Sequence, residues 1–327
     1  MVFVLPRPPG PNIITGSESD DVLIGTDSHD AIFANGGSDR VFAGGGNDSI
    51  VLDLDGRFDF IDGGSGVDTL SYWQVDKGMT IDLNTGISQV NAQLVSTSTP
   101  FGTLSYVVPG YMEDQFRNIE NVEGGSGDDI IIGNGSDNLL FGAAGNDNLS
   151  GGAGEDYLQG GSGNDILSGG ADNDRLYGDM GDDIISGGAG NDDMYGGRGS
   201  DIFRFTDEKT GFLSLPDKPV DWIWDFAKGH PWRSEADTID LSGIDANTKM
   251  RGDQSFDIVD SFSGRAGELA LNNEALAEYL GVDEVPAGST WQLWQGDTNG
   301  DGVADFSIMV QVTNLMPGAL TESDFIL

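Results

Sequence analysis

The sequence predicts an all-β fold: a solenoid coiled from nine-residue units, followed by a C-terminal β domain. Three observations carry the prediction. An acidic residue recurs every nine residues among glycines, as in "GGAGEDYLQGGSGNDILSGG" (Gly151 to Gly170), where a leucine follows each acid two positions on. Past Phe205 the period stops, and segments such as "VDWIWDFAKG" and "ADTIDLSGID" alternate apolar and polar residues as half-buried strands do. The third is charge. With 55 acidic and 15 basic residues among 327, the formal net charge is -40, which opposes compaction unless cations neutralise it.

The chain divides in order. Residues 1–15 are a lead-in whose start, "MVFVLPRPPGPN", lacks the apolar core and cleavage site of a secretory signal peptide. Residues 16–71 hold a degenerate block of the repeat. Its acids at the sixth position are Asp21, Asp30, Asp39, Asp48, Asp59 and Asp68, with Leu23, Ile32, Val41, Ile50, Ile61 and Leu70 as apolar partners. A two-residue insertion separates Asp48 from Asp59. Residues 72–117 interrupt the period. There "GMTIDLNTG" reads as a strand and turn, and the polar, aromatic stretch after it as a long loop or small hairpin.

Residues 118–205 restore the repeat. Nine consecutive nonapeptides run from Gly124 to Arg204, after one degenerate unit with Glu120 and Val122 in the acidic and apolar slots. Their sixth positions are Asp129, Asn138, Asp147, Asp156, Asp165, Asp174, Asp183, Asp192 and Asp201, and large apolar residues fill the eighth. Residues 206–327 read as a β domain with one helix, Asn273 to Leu280, ended by Gly281.

Each nonapeptide reads as a six-residue turn plus a three-residue strand. Glycine supplies the positive φ of tight turns and lets carbonyls approach a ligand. Because side chains alternate along a strand, the eighth residue faces inward and the seventh and ninth face out. Two units close one coil, so residues eighteen apart stack at the spacing of neighbouring strands, about 4.8 Å. Asp129, Asp147, Asp165, Asp183 and Asp201 then line one edge, and Asn138, Asp156, Asp174 and Asp192 the other. Two carboxylates about 5 Å apart repel by about 3 kcal/mol at an effective dielectric near 20. A divalent cation between turns converts that repulsion into coordination. Calcium suits the arrangement, since it accepts many carboxylate and carbonyl oxygens in flexible geometry. The expectation is multiple calcium ions held by the sixth-position acids, with Asn138 a weaker ligand.

These nonapeptides resemble those of the RTX (repeats-in-toxin) proteins. The resemblance implies a parallel β-roll wound around calcium, a calcium-binding nonapeptide solenoid. The tail, with Asp225-Phe226, Ile239-Asp240-Leu241-Ser242 and Asp301-Gly302, is similar to the C-terminal domain of serralysin-type metalloproteases, implying a β-sandwich-like cap after the roll. "HPWRSEA" (His230 to Ala236) and the helical segment depart from that pattern. The end, "TESDFIL", resembles the serralysin C-terminus, implying recognition by a type I secretion apparatus; it also reads as an ordinary edge strand. In "DTNGDGVAD", Asp297, Asn299, Asp301 and Gly302 match the opening of an EF-hand loop, but Ile308 stands where its terminal Glu belongs. A polar hairpin turn and a weak calcium site both remain open there.

No catalytic constellation emerges. The two histidines, His29 and His230, are followed by Asp30 and Pro231, so neither begins an H-E-x-x-H zinc motif. His29 sits at a turn position and is expected to be exposed. There is no G-x-S-x-G and no cysteine. The acidity makes nucleic acid a poor partner, and no run approaches a membrane span. The sequence therefore reads as a secreted, extracellular, non-catalytic calcium-binding protein. It folds on calcium after type I export, with a structural, matrix or adhesion role at a cell surface. The alternative is an accessory module of an extracellular enzyme (protease, lipase or polysaccharide epimerase) with polysaccharide binding. The apolar tail is expected to cap the roll.

Overall fold

A computed structural model describes residues 11–91, 93–99, 102–108, 110–206, 220–228, 236–244, 255–280, 290–312 and 320–327. The chain forms two compact units, Met1–Ile132 and Gly133–Leu327. The start of the lead-in, most of "HPWRSEA" and the helix-ending Gly281 lie outside the described residues.

Consecutive strands of the repeats alternate between two sheets, so strands become parallel neighbours without the helical crossover such pairs usually need. In the first unit, Asn12–Thr15, Asp30–Phe33, Ser49–Val51, Thr69–Ser71 and Asn121–Glu123 follow one another in one sheet. Val22–Ile24, Arg40–Phe42 and Asp59–Asp62 follow in the other. The interruption is absorbed by the second sheet. Tyr111–Arg117 adds parallel to Asp59–Asp62, and the hairpin Met79–Asp82/Ile87–Val90 joins antiparallel beside it. The polar, aromatic stretch is a hairpin: Gln93–Thr99 pairs antiparallel with Gly102–Val108 as a two-stranded sheet.

In the second unit, Leu139–Ala144, Tyr157–Ser162, Arg175–Met180 and Asp193–Arg198 stack parallel in one sheet. Asn148–Ala153, Ile166–Ala171, Ile184–Ala189 and Ile202–Arg204 stack in the other. Most of these strands are six residues long, not three, because the first three residues of the next nonapeptide stay extended. The ladder skips the first glycine of each unit: Phe141 pairs with Gln159 and Ala143 with Gly161, but Gly142 has no partner in register.

The eighth positions face inward as expected. Leu140, Leu158, Leu176 and Met194 stack in register, as do Leu149, Leu167, Ile185 and Phe203, each at most 1% exposed. Full burial of one such side chain stabilises by about 1.5–3 kcal/mol. One apolar residue per strand therefore makes a thin core that needs help from elsewhere.

The C-terminal segment extends both sheets of this unit. Asp221–Phe226 and Phe306–Val312 add parallel after Asp193–Arg198, followed by antiparallel Trp291–Asp297. Thr238–Asp240 and Phe325–Ile326 add after Ile202–Arg204. Ile223 and Val310 continue one apolar column, and Ile239 and Phe325 the other. The helix spans Asn273–Leu280 as expected, and its Ala275 and Leu276 pack on Val220, Leu293 and Met309. Among the described residues no helix is long and apolar enough to cross a membrane.

Candidate metal centre

All the sixth-position side chains but Asp21 are buried beside the apolar core, and along each column a carboxylate is held by the coil before it. The backbone N–H of Asn138 donates to Oδ1 of Asp156 (2.7 Å), that of Asp156 to Asp174 (2.8 Å), that of Asp174 to Asp192 (2.9 Å) and that of Asp192 to Asp221 (3.1 Å). A second column links Asp147, Asp165, Asp183, Asp201 and Asp237 in the same way at 2.8–3.0 Å. In the first unit the columns run Asp21, Asp39, Asp59, Asp114 and Asp30, Asp48, Asp68, Glu120, while Asp129 Oδ1 accepts from Met79. Acids eighteen apart thus stack as the period predicts. An N–H stands between successive carboxylates and offsets part of their repulsion.

The second carboxylate oxygen separates two kinds of position. At Asp21 it accepts from the Ser17 N–H and hydroxyl (both 2.7 Å), and at Asp30 from the Thr26 N–H (2.6 Å). Asp129 takes Gly125, Asn138 uses its single oxygen for Asn134, and Asp237 takes Ala227. Asp114 Oδ2 accepts from the buried Tyr72 hydroxyl at 2.7 Å. These column ends are closed. At Asp39, Asp48, Asp68, Asp156, Asp174 and Asp183, by contrast, Oδ2 is buried and accepts no hydrogen bond from any described residue. A buried anionic oxygen without a donor is costly, so the interior of each column is incomplete as a protein-only arrangement.

The carboxyl acidities follow this geometry. Burial is the first cause in each case: it pushes Asp156 up to about 6, Asp174 to about 8 and Asp183 to about 7. The stacked neighbours add to it, Asp192 and Asp156 on Asp174, and Asp201 and Asp165 on Asp183. Asp68 rises to about 6 and Asp59 to about 7, also chiefly by burial. Asp21, capped by Ser17 and open to solvent, is lowered instead. The completely buried Asp221 is raised well above the usual range, by burial and then by Asp192.

These interior oxygens fit a hard cation. A Cβ built on Gly151, Gly169 or Gly178, the first residue of its turn, would lie within 3.0 Å of two oxygens. One is Oδ2 of Asp156, Asp174 or Asp183; the other is the carbonyl of Gly169, Gly187 or Gly196 in the next coil. None of these three glycines has a positive φ, so here the missing side chain is needed for space, not backbone freedom. The second-position glycines do need the freedom, with φ of 112 at Gly152 and 124 at Gly170. No group of three or more acid, histidine or cysteine side chains converges among the described residues. A cation here would rest on one carboxylate per turn plus main-chain carbonyls, a mixed oxygen set that calcium accepts.

Several participants escaped the sequence reading. Asp114, Asp221 and Asp237 continue columns after breaks of 55, 29 and 36 residues. Each precedes a buried apolar residue by two (Phe116, Ile223, Ile239), a signal that survives without the glycines. The fifth position was also missed. Asn146, Asn164 and Asp182 accept the N–H eighteen residues later (2.8–3.0 Å), forming a second series that runs opposite to the first. His29, exposed as expected, fills this slot in the first unit, accepting the Asn47 N–H on Nδ1 at 2.9 Å.

The EF-hand-like stretch forms the turn between Trp291–Asp297 and Phe306–Val312. Asp297 accepts from Asn299, Gly300 and Gly302, Asp305 from Thr298 and Asn299, and Asp301 from Val303. Asp297 and Asp305 thus brace the turn from within, while Asp301 accepts on Oδ1 alone.

Residues 12–50, 52–73, 118–149, 150–185 and 168–203 match the model of the RTX calcium-binding nonapeptide repeat (4 copies). Similar solved structures include two subunits from the Azotobacter vinelandii mannuronan C5-epimerase. The AlgE6R2 subunit is 22% identical over 60% of this chain and 90% of that one, with a TM-score of 0.35. The AlgE6R3 subunit is 22% identical over 62% and 78%, with a TM-score of 0.23. The extracellular lipase LipA from Serratia marcescens is 16% identical over 98% of this chain and 40% of that one, with a TM-score of 0.20. No curated protein matches the chain.

Proposed function

We propose that this chain, which carries RTX calcium-binding nonapeptide repeats within residues 12–73 and 118–203, is an extracellular module that folds on calcium and has a structural or adhesive role. The observation that carries the proposal is the buried, donorless Oδ2 at Asp39, Asp48, Asp68, Asp156, Asp174 and Asp183. These interior positions would hold the ions, and the closed ends (Asp21, Asp30, Asp129, Asn138) would terminate the columns. Calcium there would supply the positive charge that each carboxylate lacks, so binding free energy becomes folding free energy.

At low calcium the -40 charge and the incomplete columns favour the unfolded chain. At the millimolar calcium of extracellular modules, weak sites fill, and filling one coil orders its neighbour. That coupling suits export in an unfolded state. In the folded chain Phe325 is 7% exposed, pairs with Ile239 and packs on Trp294 at 5.0 Å, so this segment is accessible only before folding. Under this proposal the chain carries no catalytic step. Circular dichroism during a calcium titration, with direct counting of bound ions, tests it. Cooperative gain of sheet with several ions bound is expected; full sheet content in the calcium-stripped chain would refute it.

A further inference from the structure

The second turn position in the second unit is glycine with positive φ at Gly152, Gly161, Gly170, Gly188 and Gly197. Two residues break the rule without leaving the conformation, Ala143 (φ 79) and Asp179 (φ 74). A left-handed residue other than glycine is strained, and such strain clusters at functional surfaces. Both line the same open groove, of about 420 Å³, with Gly161, Ser162, Met180 and Arg198. The groove is built from two rows of one sheet. Ala143, Gly161, Asp179 and Gly197 are in register, and beside them Ala144, Ser162, Met180 and Arg198.

The groove carries one fixed carboxylate and one guanidinium outside the ion pairs of the described residues. The Gln159 side-chain amide donates to Oδ2 of Asp179 and fixes that carboxylate on the groove wall. Arg198 is exposed and takes part in none of the ion pairs among the described residues, although carboxylates outnumber cations throughout the chain. Tyr157, Tyr177, Tyr195 and Trp224 stack at 5.1, 4.5 and 5.9 Å on the same sheet. Their faces are spent on one another, so this column offers a ligand ring edges rather than open platforms. Recognition would therefore come from the polar groove.

We propose that this groove binds a neutral, hydroxyl-rich glycan chain. Asp179 accepts from sugar hydroxyls, the Arg198 fork donates to sugar oxygens, Ser162 can do either, and Met180 and Ala143 offer apolar contact. A sugar hydroxyl is both donor and acceptor, so it can use a carboxylate and a guanidinium side by side. The net charge selects neutral chains, because an anionic polymer would be repelled by the protein's field. This site goes beyond calcium binding and uses none of the column carboxylates.

The test is titration of the calcium-loaded full chain with a soluble β-glucan, mannan, galactan and xylan, and with a polyuronate for comparison. Saturable binding to at least one neutral polysaccharide is expected, weakened about tenfold or more, or by about 1.4 kcal/mol, in Asp179→Gly and in Arg198→Gln. Glycine suits the φ of 74, so Asp179→Gly should melt at or above the parent temperature while losing binding, which separates the site from the fold. If that variant melts lower, Arg198→Gln decides. No neutral-glycan binding, a preference for the polyuronate, or binding untouched by both substitutions would overturn the proposal.

Discussion

The backbone N–H of Asp156 donates to Oδ1 of Asp174 at 2.8 Å, and Oδ2 of the same Asp174 is buried without a donor. One carboxylate therefore does two jobs. It pins the preceding coil with one oxygen and presents the other to whatever completes the turn.

Asp174→Asn keeps an oxygen for the Asp156 N–H and removes the charge. It should stabilise the calcium-stripped chain at pH 8 and weaken the calcium response. Sheet content by circular dichroism without calcium and the calcium midpoint of folding measure the two effects. A variant with less sheet than the parent in the stripped state would contradict the assignment of Asp174 as an interior ligand.

The calcium-stripped chain should lose stability as pH rises. The folded-state pKa values are raised, to about 6 at Asp156, 7 at Asp183 and 8 at Asp174, against 3.8 ordinarily. The folded chain then binds more protons than the unfolded chain across that window. Stability is full below pH 3.8 and is lost as pH climbs towards 8. Saturating calcium should flatten the dependence, since the cation replaces the proton. Circular dichroism of the stripped chain from pH 4.5 to 8.5 reads this out as sheet content falling with pH, and a content that does not change with pH would count against it.

Gly169→Ala should impair calcium-induced folding by about 1–3 kcal/mol, because the new methyl meets both Asp174 Oδ2 and the Gly187 carbonyl. Gly135→Ala is the control, with nothing within 4 Å of the added carbon. Equal calcium midpoints for the two variants would show that the first glycine is not reserved for a ligand.

Asp237→Ala should cost about 1–3 kcal/mol, since the N–H groups of Asp201 and Ala227 lose their acceptor at the end of a column. Chemical denaturation at saturating calcium gives the value. A neutral result would mean that the C-terminal segment closes the coil through its apolar contacts alone.

Much was legible in the primary structure because the determinants repeat locally. Alternation along a strand sends Leu158 inward and Tyr157 and Gln159 outward, and the nine-residue spacing sets both columns and the register of their acids. The helix Asn273–Leu280 was equally local. What only the tertiary structure decided is which carboxylates are open. Asp174 and Asp129 occupy the same slot of the same repeat, yet one has a donorless buried oxygen and the other is closed by the Gly125 N–H. The column partners Asp114, Asp221 and Asp237 arrive from 29 to 55 residues away. The physical reason is that a hydrogen bond between coils depends on where the chain returns after an insertion. A spacing rule that holds within one nonapeptide carries no information about that.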